Sequence, residues 1–183
     1  QYMEIKVLES GGAGENVEGR IGKAGIVYME SVVAEEIRRA GLLADGREPE
    51  TDGKFFQAVN ALEDELQSRT EEIDEMFEDC GIDDLEELSE EFTAIEYRGE
   101  ELSISYALLV EVYDAVIRDV FDGKMKEMIA FMQKRGIDYM NRLQDTFKIA
   151  LVGGFGNFYL VKKQVMDLFQ FTARDRRQSD IIK

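Results

Sequence analysis

Residues 147–161 read FKIALVGGFGNFYLV, a short apolar run that stops at paired glycines and continues as an amphipathic pattern. The pattern predicts a buried strand, a tight turn and a helix. Gly153, Gly154 and Gly156 have no Cβ, so the backbone there can approach a ligand closely. The first turn of the helix that follows would add N–H donors and a positive dipole end, which suit a nucleotide or phosphate. A purely structural strand-to-helix connection would use the same glycines.

A dinucleotide-binding fingerprint is a competing interpretation of this turn. Gly154 and Gly156 begin the required spacing, and Asp175 follows at a suitable distance. Tyr159 stands where the third glycine belongs, and its ring is too large for close packing of helix on strand. The spacing therefore disfavours this class of site.

The composition excludes several chemistries. Histidine is absent and Cys80 is the only cysteine, so the chain has no intrachain disulfide, no zinc site built from His or Cys and no histidine-based triad. Acidic neighbours in the segment FEDCG (77–81) are expected to raise the pKa of the Cys80 thiol, which argues against a nucleophile. The sequence lacks an apolar run of the ~20 residues that span a bilayer and a signal-peptide pattern, which predicts a cytoplasmic protein.

The charge is strongly negative. The net charge is -17, from 39 acidic and 22 basic residues, and it disfavours nucleic acid and anionic membranes as partners. Carboxylates are dense between residues 71 and 91, but no window there has the alternating ligands, central glycine and closing glutamate of a calcium loop. This segment is predicted to be a solvated acidic surface.

Hydrophobic periodicity predicts the remaining elements. Strands are expected at 2–8 and 148–152, a hairpin at 92–97 and 101–104 around Arg98 and Gly99, and an exposed loop at 45–53. Helices are expected at 26–40 with Gly41 as C-cap, at 54–78 as one long helix, at 106–121 with Ser105 as N-cap, at 124–135 and at 160–169. The helix at 106–121 is predicted to bury a stripe of Leu109, Val112, Val116 and Val120, with a kink or break at Asp122 and Gly123.

Three segments together resemble a known family. LVGGFGNFYLV (151–161) resembles the adenosine motif of the actin-like ATPases, in particular of the DnaK-type heat-shock protein seventy chaperones. YRGEELSISYALLVE (97–111) resembles the family's hairpin that leads into a long helix, and MEIKVLE (3–9), followed by a glycine-rich turn, resembles its opening strand. The resemblance covers most of the chain in the family's order.

The resemblance implies an α/β fold that corresponds to the second lobe of an actin-like ATPase, as a piece of a longer protein. Residues 1–45 and 105–183 would form a ribonuclease H-like base subdomain that carries the glycine motif. Residues 46–104 would form an acidic helical arm with a small β-sheet.

The resemblance also implies a set of nucleotide contacts. In the family, adenosine sits between the glycine turn and a helix of the smaller subdomain, which here is 54–78. The implied contacts are Gly153, Gly154, Phe155, Gly156 and Asn157 in the turn, with Glu63, Leu66 and Gln67 on the helix. Glu63 matches the family glutamate, whereas Leu66 and Gln67 replace its cationic pair and Asn157 replaces its usual arginine. Phe155 would either stack on the base or be a buried side chain.

The implied function is that of an adenine-nucleotide-binding lobe in a divergent DnaK-type, chaperone-like ATPase. ATP or ADP would be the ligand, with Mg²⁺ supplied with the nucleotide in the intact protein. The first lobe of the same parent, protein clients and co-chaperones would be the partners. Since no loop resembling Asp-x-Gly-Gly-Gly-Thr occurs, the chain alone is predicted to be inactive as an ATPase. The alternative is an acidic interaction scaffold that keeps the fold and has lost nucleotide binding.

Overall fold

The computed structural model describes residues 4–9, 17–20, 24–43, 47–134, 147–152, 154–168 and 181–182. The fold is mixed α/β and mostly helical. In chain order the described elements are β1 (Glu4–Glu9), β2 (Val17–Arg20), α1 (Ala24–Arg39), α2 (Gly53–Ser68), α3 (Thr70–Asp79), a 3₁₀ helix (Glu87–Ser89), β3 (Glu91–Tyr97), β4 (Glu100–Ser105), α4 (Tyr106–Tyr113), a π-helix (Asp114–Arg118), α5 (Asp119–Lys134), β5 (Phe147–Val152), a second 3₁₀ helix (Gly154–Asn157), α6 (Tyr159–Leu168) and β6 (Ile181–Ile182).

The chain divides into two compact units. The first unit comprises Gln1–Gly25 and Arg118–Lys183, and the second comprises Ile26–Ile117. The division into subdomains 1–45 with 105–183 and 46–104 stays a prediction. Across the described helices, none is both long and apolar enough to cross a membrane.

The first unit is built on a four-stranded sheet in the order β2-β1-β5-β6. β1 pairs antiparallel with both β2 and β5, with Glu4 opposite Arg20 on one side and Val152 on the other, and β5 pairs parallel with β6. The predicted strands at 2–8 and 148–152 correspond to β1 and β5, and the predicted helix at 160–169 corresponds to α6. Buried side chains from the helices and from the end of β5 form the core: Phe121, Met125, Met128, Leu151, Phe155, Phe158, Leu160, Val161 and Val165.

A buried glutamine joins α6 to the neighbouring helix of the first unit. The Nε2 atom of Gln164 donates to the Arg118 carbonyl at 2.8 Å and to Asp122 Oδ1 at 2.6 Å. Because a buried amide must be hydrogen-bonded to avoid a desolvation cost, these bonds fix the orientation of α6 behind the glycine turn.

In the second unit, α1 ends as the sequence predicts. The N–H of Gly41 donates to the Arg38 carbonyl at 3.1 Å and that of Leu42 donates to the Ile37 carbonyl at 3.2 Å. This pair of bonds, with φ of 70° at Gly41, is a Schellman ending, which only a residue tolerant of positive φ completes easily.

The hairpin and its following helix also agree with the prediction. Arg98 and Gly99 have φ of 54° and 85°, as a two-residue turn matched to strand twist requires. The turn joins β3 to β4, and the Ser105 side chain then accepts a hydrogen bond from the Leu108 N–H and begins α4.

The prediction of one helix over 54–78 is wrong. α2 and α3 are separate because Arg69 has φ of -114° and ψ of 30°, outside the helical region. Its guanidinium donates to the Phe92 carbonyl and lies 4.4 Å from the centroid of the Phe92 ring. It also pairs with Glu65 and Glu72, one on each side of the break. Contacts with β3 therefore override an apolar period that continues through the break.

The sequence predicts a stripe of four buried side chains on the helix over 106–121, and this prediction is wrong at the C-terminal end of the stripe. Leu109 and Val112 are buried, but Val116 is only half-buried and Val120 is 60% exposed. A π-helix closes wider turns than an α-helix, so the segment Asp114–Arg118 shifts the buried face by about one residue. Phe121 is buried where Val120 was expected, and α5 continues through 122–123 without the predicted break.

Candidate functional site

The glycine turn is a short 3₁₀ helix that leads directly into α6. The Phe158 N–H donates to the Phe155 carbonyl at 3.1 Å, and the Val161 and Lys162 N–H groups both donate to the Phe158 carbonyl at 3.1 Å. Gly153 lies outside the described residues. The arrangement brings Gly154, Phe155, Gly156 and Asn157 into a single turn at the N-terminal end of a helix.

Gly156 is buried against the end of the strand. A Cβ at this position would lie 3.3 Å from the Leu151 Cβ and 3.4 Å from the Leu151 carbonyl carbon. The first distance is tighter than ordinary van der Waals contact, so Leu151 would have to move by a few tenths of an ångström to admit a side chain here. Packing within the unit therefore accounts for Gly156 without a ligand.

Phe155 lies in the core of the first unit. Its ring is 6% exposed and stacks on Phe158 with centroids 5.6 Å apart and an interplanar angle of 22°. Its Cβ is so near Gly25 that a Cβ added to that glycine would lie only 2.9 Å away. Of the two roles considered for Phe155, the buried side chain is the one present, and its ring is not available for stacking on a base. Asn157, two residues on, is exposed.

The other predicted contacts lie together on α2, in the second unit. Oδ1 of Asp52 accepts from the N–H groups of Lys54 and Phe55, both at 3.0 Å, and caps the start of this helix. The Phe55 N–H, with the Arg98 guanidinium, holds the pKa of Asp52 below its usual value. On the last turns of α2, Gln67 Nε2 donates to Glu63 Oε1 at 3.0 Å.

Glu63 and Gln67 therefore form a linked pair on the helix surface, and the half-buried Leu66 lies beside them. The turn residues and the α2 residues belong to different compact units.

One aromatic side chain on the same face of α2 is exposed, which the sequence analysis did not predict. Phe56 is 43% exposed, although Phe55 next to it is buried in the core. Phe56 precedes Glu63 by seven positions and Gln67 by eleven, which places all three along one side of the helix. An aromatic residue on the polar side of an amphipathic pattern was the signal that could have identified it.

The carboxylates between residues 71 and 91 form the acidic surface of the second unit. The exposed members are Glu71, Glu72, Glu75, Glu78, Asp79, Asp83, Asp84, Glu86, Glu87, Glu90 and Glu91. Burial, followed by the charges of Glu87 and Asp79, raises the pKa of the Cys80 thiol, in the direction that the sequence predicts. The parts of the chain with described coordinates contain no group of three or more side chains that could hold a metal ion.

A groove of about 490 Å³ in the second unit is lined by charged side chains that pair with one another. Arg38 pairs with Glu35 and Glu48, and Arg39 pairs with Glu35 and Glu111. The hydrogen bond from Arg39 is the main cause that lowers the pKa of Glu35. Since each guanidinium is already held by two carboxylates, a charged ligand would have to break these ion pairs to bind.

Comparisons with protein-family models, with curated proteins and with solved structures find no match for this chain.

Proposed function

We propose that this chain is the adenine-nucleotide-binding lobe of a divergent DnaK-type, chaperone-like ATPase of the cytoplasm. The observation that carries the proposal is the turn Gly154–Asn157, which joins the end of a sheet strand to the N-terminal end of α6. A turn of this kind offers backbone N–H groups and a positive dipole end to an anionic or polar ligand.

The contact that carries this function is proposed to lie in the first unit. In the first unit, the backbone around Gly154 would approach the nucleotide, because a glycine leaves room that any side chain would fill. The roles of Glu63 and Gln67 on α2, which are joined by a hydrogen bond, stay what the family resemblance implies. ATP or ADP would bring Mg²⁺ with it in the intact protein.

The affinity of the proposed site is expected to be low. Leu66, Gln67 and Asn157 stand where the resembling family has cationic side chains that clamp the base and ribose. A guanidinium stacked on an aromatic ring contributes about 1–2 kcal/mol, so its absence weakens binding without abolishing it.

The alternative function is an acidic interaction scaffold that keeps the fold and has lost nucleotide binding. Two observations favour it: the ring of Phe155 is buried, and the acidic surface carries eleven exposed carboxylates, Glu71 to Glu91. A basic protein partner would fit this surface, and its binding would weaken as salt is added.

Titration of the full chain with fluorescent mant-ADP and Mg²⁺ distinguishes the two functions. Gly154→Val should lower the affinity about tenfold, or 1.4 kcal/mol, because the new side chain would block the backbone from the ligand. Gly123→Val is the matched control, since that glycine lies on an exposed part of α5 in the same unit with no atom within 4 Å of an added Cβ.

Equal affinity in the wild-type chain and a folded Gly154→Val variant would refute the glycine turn as a binding site. An absence of saturable mant-ADP binding by the wild-type chain would instead favour the scaffold.

A further inference from the structure

The hairpin of the second unit has one open edge. Within the described part of the chain, β3 and β4 pair only with each other. On β3, the Phe92 carbonyl already accepts from the Arg69 guanidinium, and α2 packs against the strand. No described residue outside the hairpin bonds to the backbone of β4 at Glu101 or Ser103. The open edge is therefore that of β4.

The register shows which backbone groups this edge presents. Tyr97 and Glu100 flank the two-residue turn and exchange both backbone hydrogen bonds, and bonded and non-bonded pairs then alternate along the ladder. Glu96 and Glu101 are thus a non-bonded pair. The N–H and C=O groups of Glu101, and of Ser103 two positions on, point away from β3, and both residues are exposed. A row of such groups is the template to which a further strand can pair.

The exposed face of the hairpin is acidic next to this edge. Glu96 lies directly opposite Glu101, and both are exposed. Side chains approach most closely in a non-bonded pair, so two like charges there are destabilising. A third carboxylate, that of Glu91, accepts a hydrogen bond from the Ser103 hydroxyl. A cationic side chain placed beside Glu101 would relieve the repulsion between Glu96 and Glu101.

We infer that the edge of β4 binds an extended segment of a partner protein that carries a basic residue at every second position. Side chains of a strand alternate between the two faces of a sheet, so these basic residues would all lie on the face of Glu96 and Glu101. The backbone of the segment would bond to Glu101 and Ser103. A second copy of β4 would bring the same negative charges to the edge and is disfavoured as the occupant. The surface goes beyond the proposed function, because it contains no residue assigned to the nucleotide.

Two peptides of equal charge test the inference against the full chain. The first is a fluorescein-labelled peptide of three Lys-Val repeats, and the second has the same residues as a block of lysines followed by a block of valines. Binding is followed by fluorescence anisotropy. Ser103→Pro removes the outward N–H, which an edge strand tolerates, and Ser103→Ala is its matched control because both variants lose the hydroxyl that bonds to Glu91.

The alternating peptide should bind the wild-type chain and Ser103→Ala with similar affinity. Its affinity for Ser103→Pro, and the affinity of the block peptide for the wild-type chain, should each be about tenfold lower. Glu101→Gln should lower the affinity for the alternating peptide about threefold, because it removes one charge at the edge. Glu86→Gln makes the same change at an exposed residue of the acidic surface and should leave that affinity unchanged.

Several results would overturn the inference. Equal affinity of the wild-type chain for the two peptides would show that net charge alone attracts them. Equal binding of the alternating peptide by folded Ser103→Pro and Ser103→Ala, or no saturable binding by the wild-type chain, would also overturn it. If far-UV circular dichroism shows that Ser103→Pro does not fold, the alternating peptide with methylated backbone nitrogens replaces that variant, and undiminished binding of this peptide would refute strand pairing.

Discussion

Replacing Gly156 with alanine tests the packing of the turn against the strand. The added Cβ would meet the Leu151 Cβ at 3.3 Å and the Leu151 carbonyl carbon at 3.4 Å. Leu151 is buried near the end of β5, which is paired with β1, so it cannot move away freely. We therefore expect the substitution to destabilise the first unit.

Two opposing effects set the magnitude. Overpacking a buried site costs about 1–3 kcal/mol, and a contact only a few tenths of an ångström too short belongs at the low end of that range. Alanine also restricts the unfolded chain, which stabilises the fold by about 0.4–1 kcal/mol at positions whose backbone it can adopt. The net effect of Gly156→Ala is therefore expected to be a loss of about 0.5 kcal/mol or less.

Gly123→Ala is the control in the same unit. Gly123 is exposed within α5, where an added Cβ meets no atom within 4 Å, so alanine should stabilise the helix by about 0.8–1 kcal/mol. Urea unfolding followed by far-UV circular dichroism should separate the two variants by about 1–1.5 kcal/mol. Equal stabilities of Gly156→Ala and Gly123→Ala would show that the turn does not close tightly on the strand.

Two further predictions concern the carboxylate of Glu72 and the buried face of α5. Arg69 holds the pKa of Glu72 below its usual value, so the stability gained from this carboxylate is present above the unfolded pKa of about 4.3 and is lost as the pH falls through the lower folded value. The urea midpoint is expected to fall between about pH 5 and 3, and this fall should be smaller in Glu72→Gln than in Glu71→Gln. An equal fall in the two variants would contradict the ion pair between Arg69 and Glu72. Val120→Ser should change the free energy of unfolding by less than about 0.5 kcal/mol, whereas Phe121→Ala should cost about 3–5 kcal/mol, and comparable losses would refute the shift in the buried face.

Local chemistry made several elements predictable from the sequence. The positive φ of Gly41 and Gly99 follows from the lack of a Cβ, and the cap at Ser105 follows from its hydroxyl acceptor. The alternation in β1 and the apolar run in β5 identified two strands of the first unit. Each of these signals depends on residues close together in the chain.

The errors arose where distant residues decide the local structure. Nothing in the periodicity of 54–78 shows that Arg69 will bond to the Phe92 carbonyl, yet that contact accompanies the break between α2 and α3. The π-helix at Asp114–Arg118 is likewise invisible to a pattern of period 3.6, and its extra residue moved Val120 to the surface. Tertiary contacts and helix irregularities therefore limited the prediction of where the helix over 54–78 breaks and of which residues α5 buries.

The sequence predicted the strand, turn and helix around the glycines but not the contacts that the turn residues make. The sequence places the glycines in one turn, but it gives no sign that Gly156 closes on Leu151 or that Phe155 packs beside Gly25. Those two contacts stabilise the first unit whether or not a ligand binds, so they cannot distinguish a nucleotide site from a scaffold. The nucleotide proposal therefore depends on how a substitution at Gly154 affects binding.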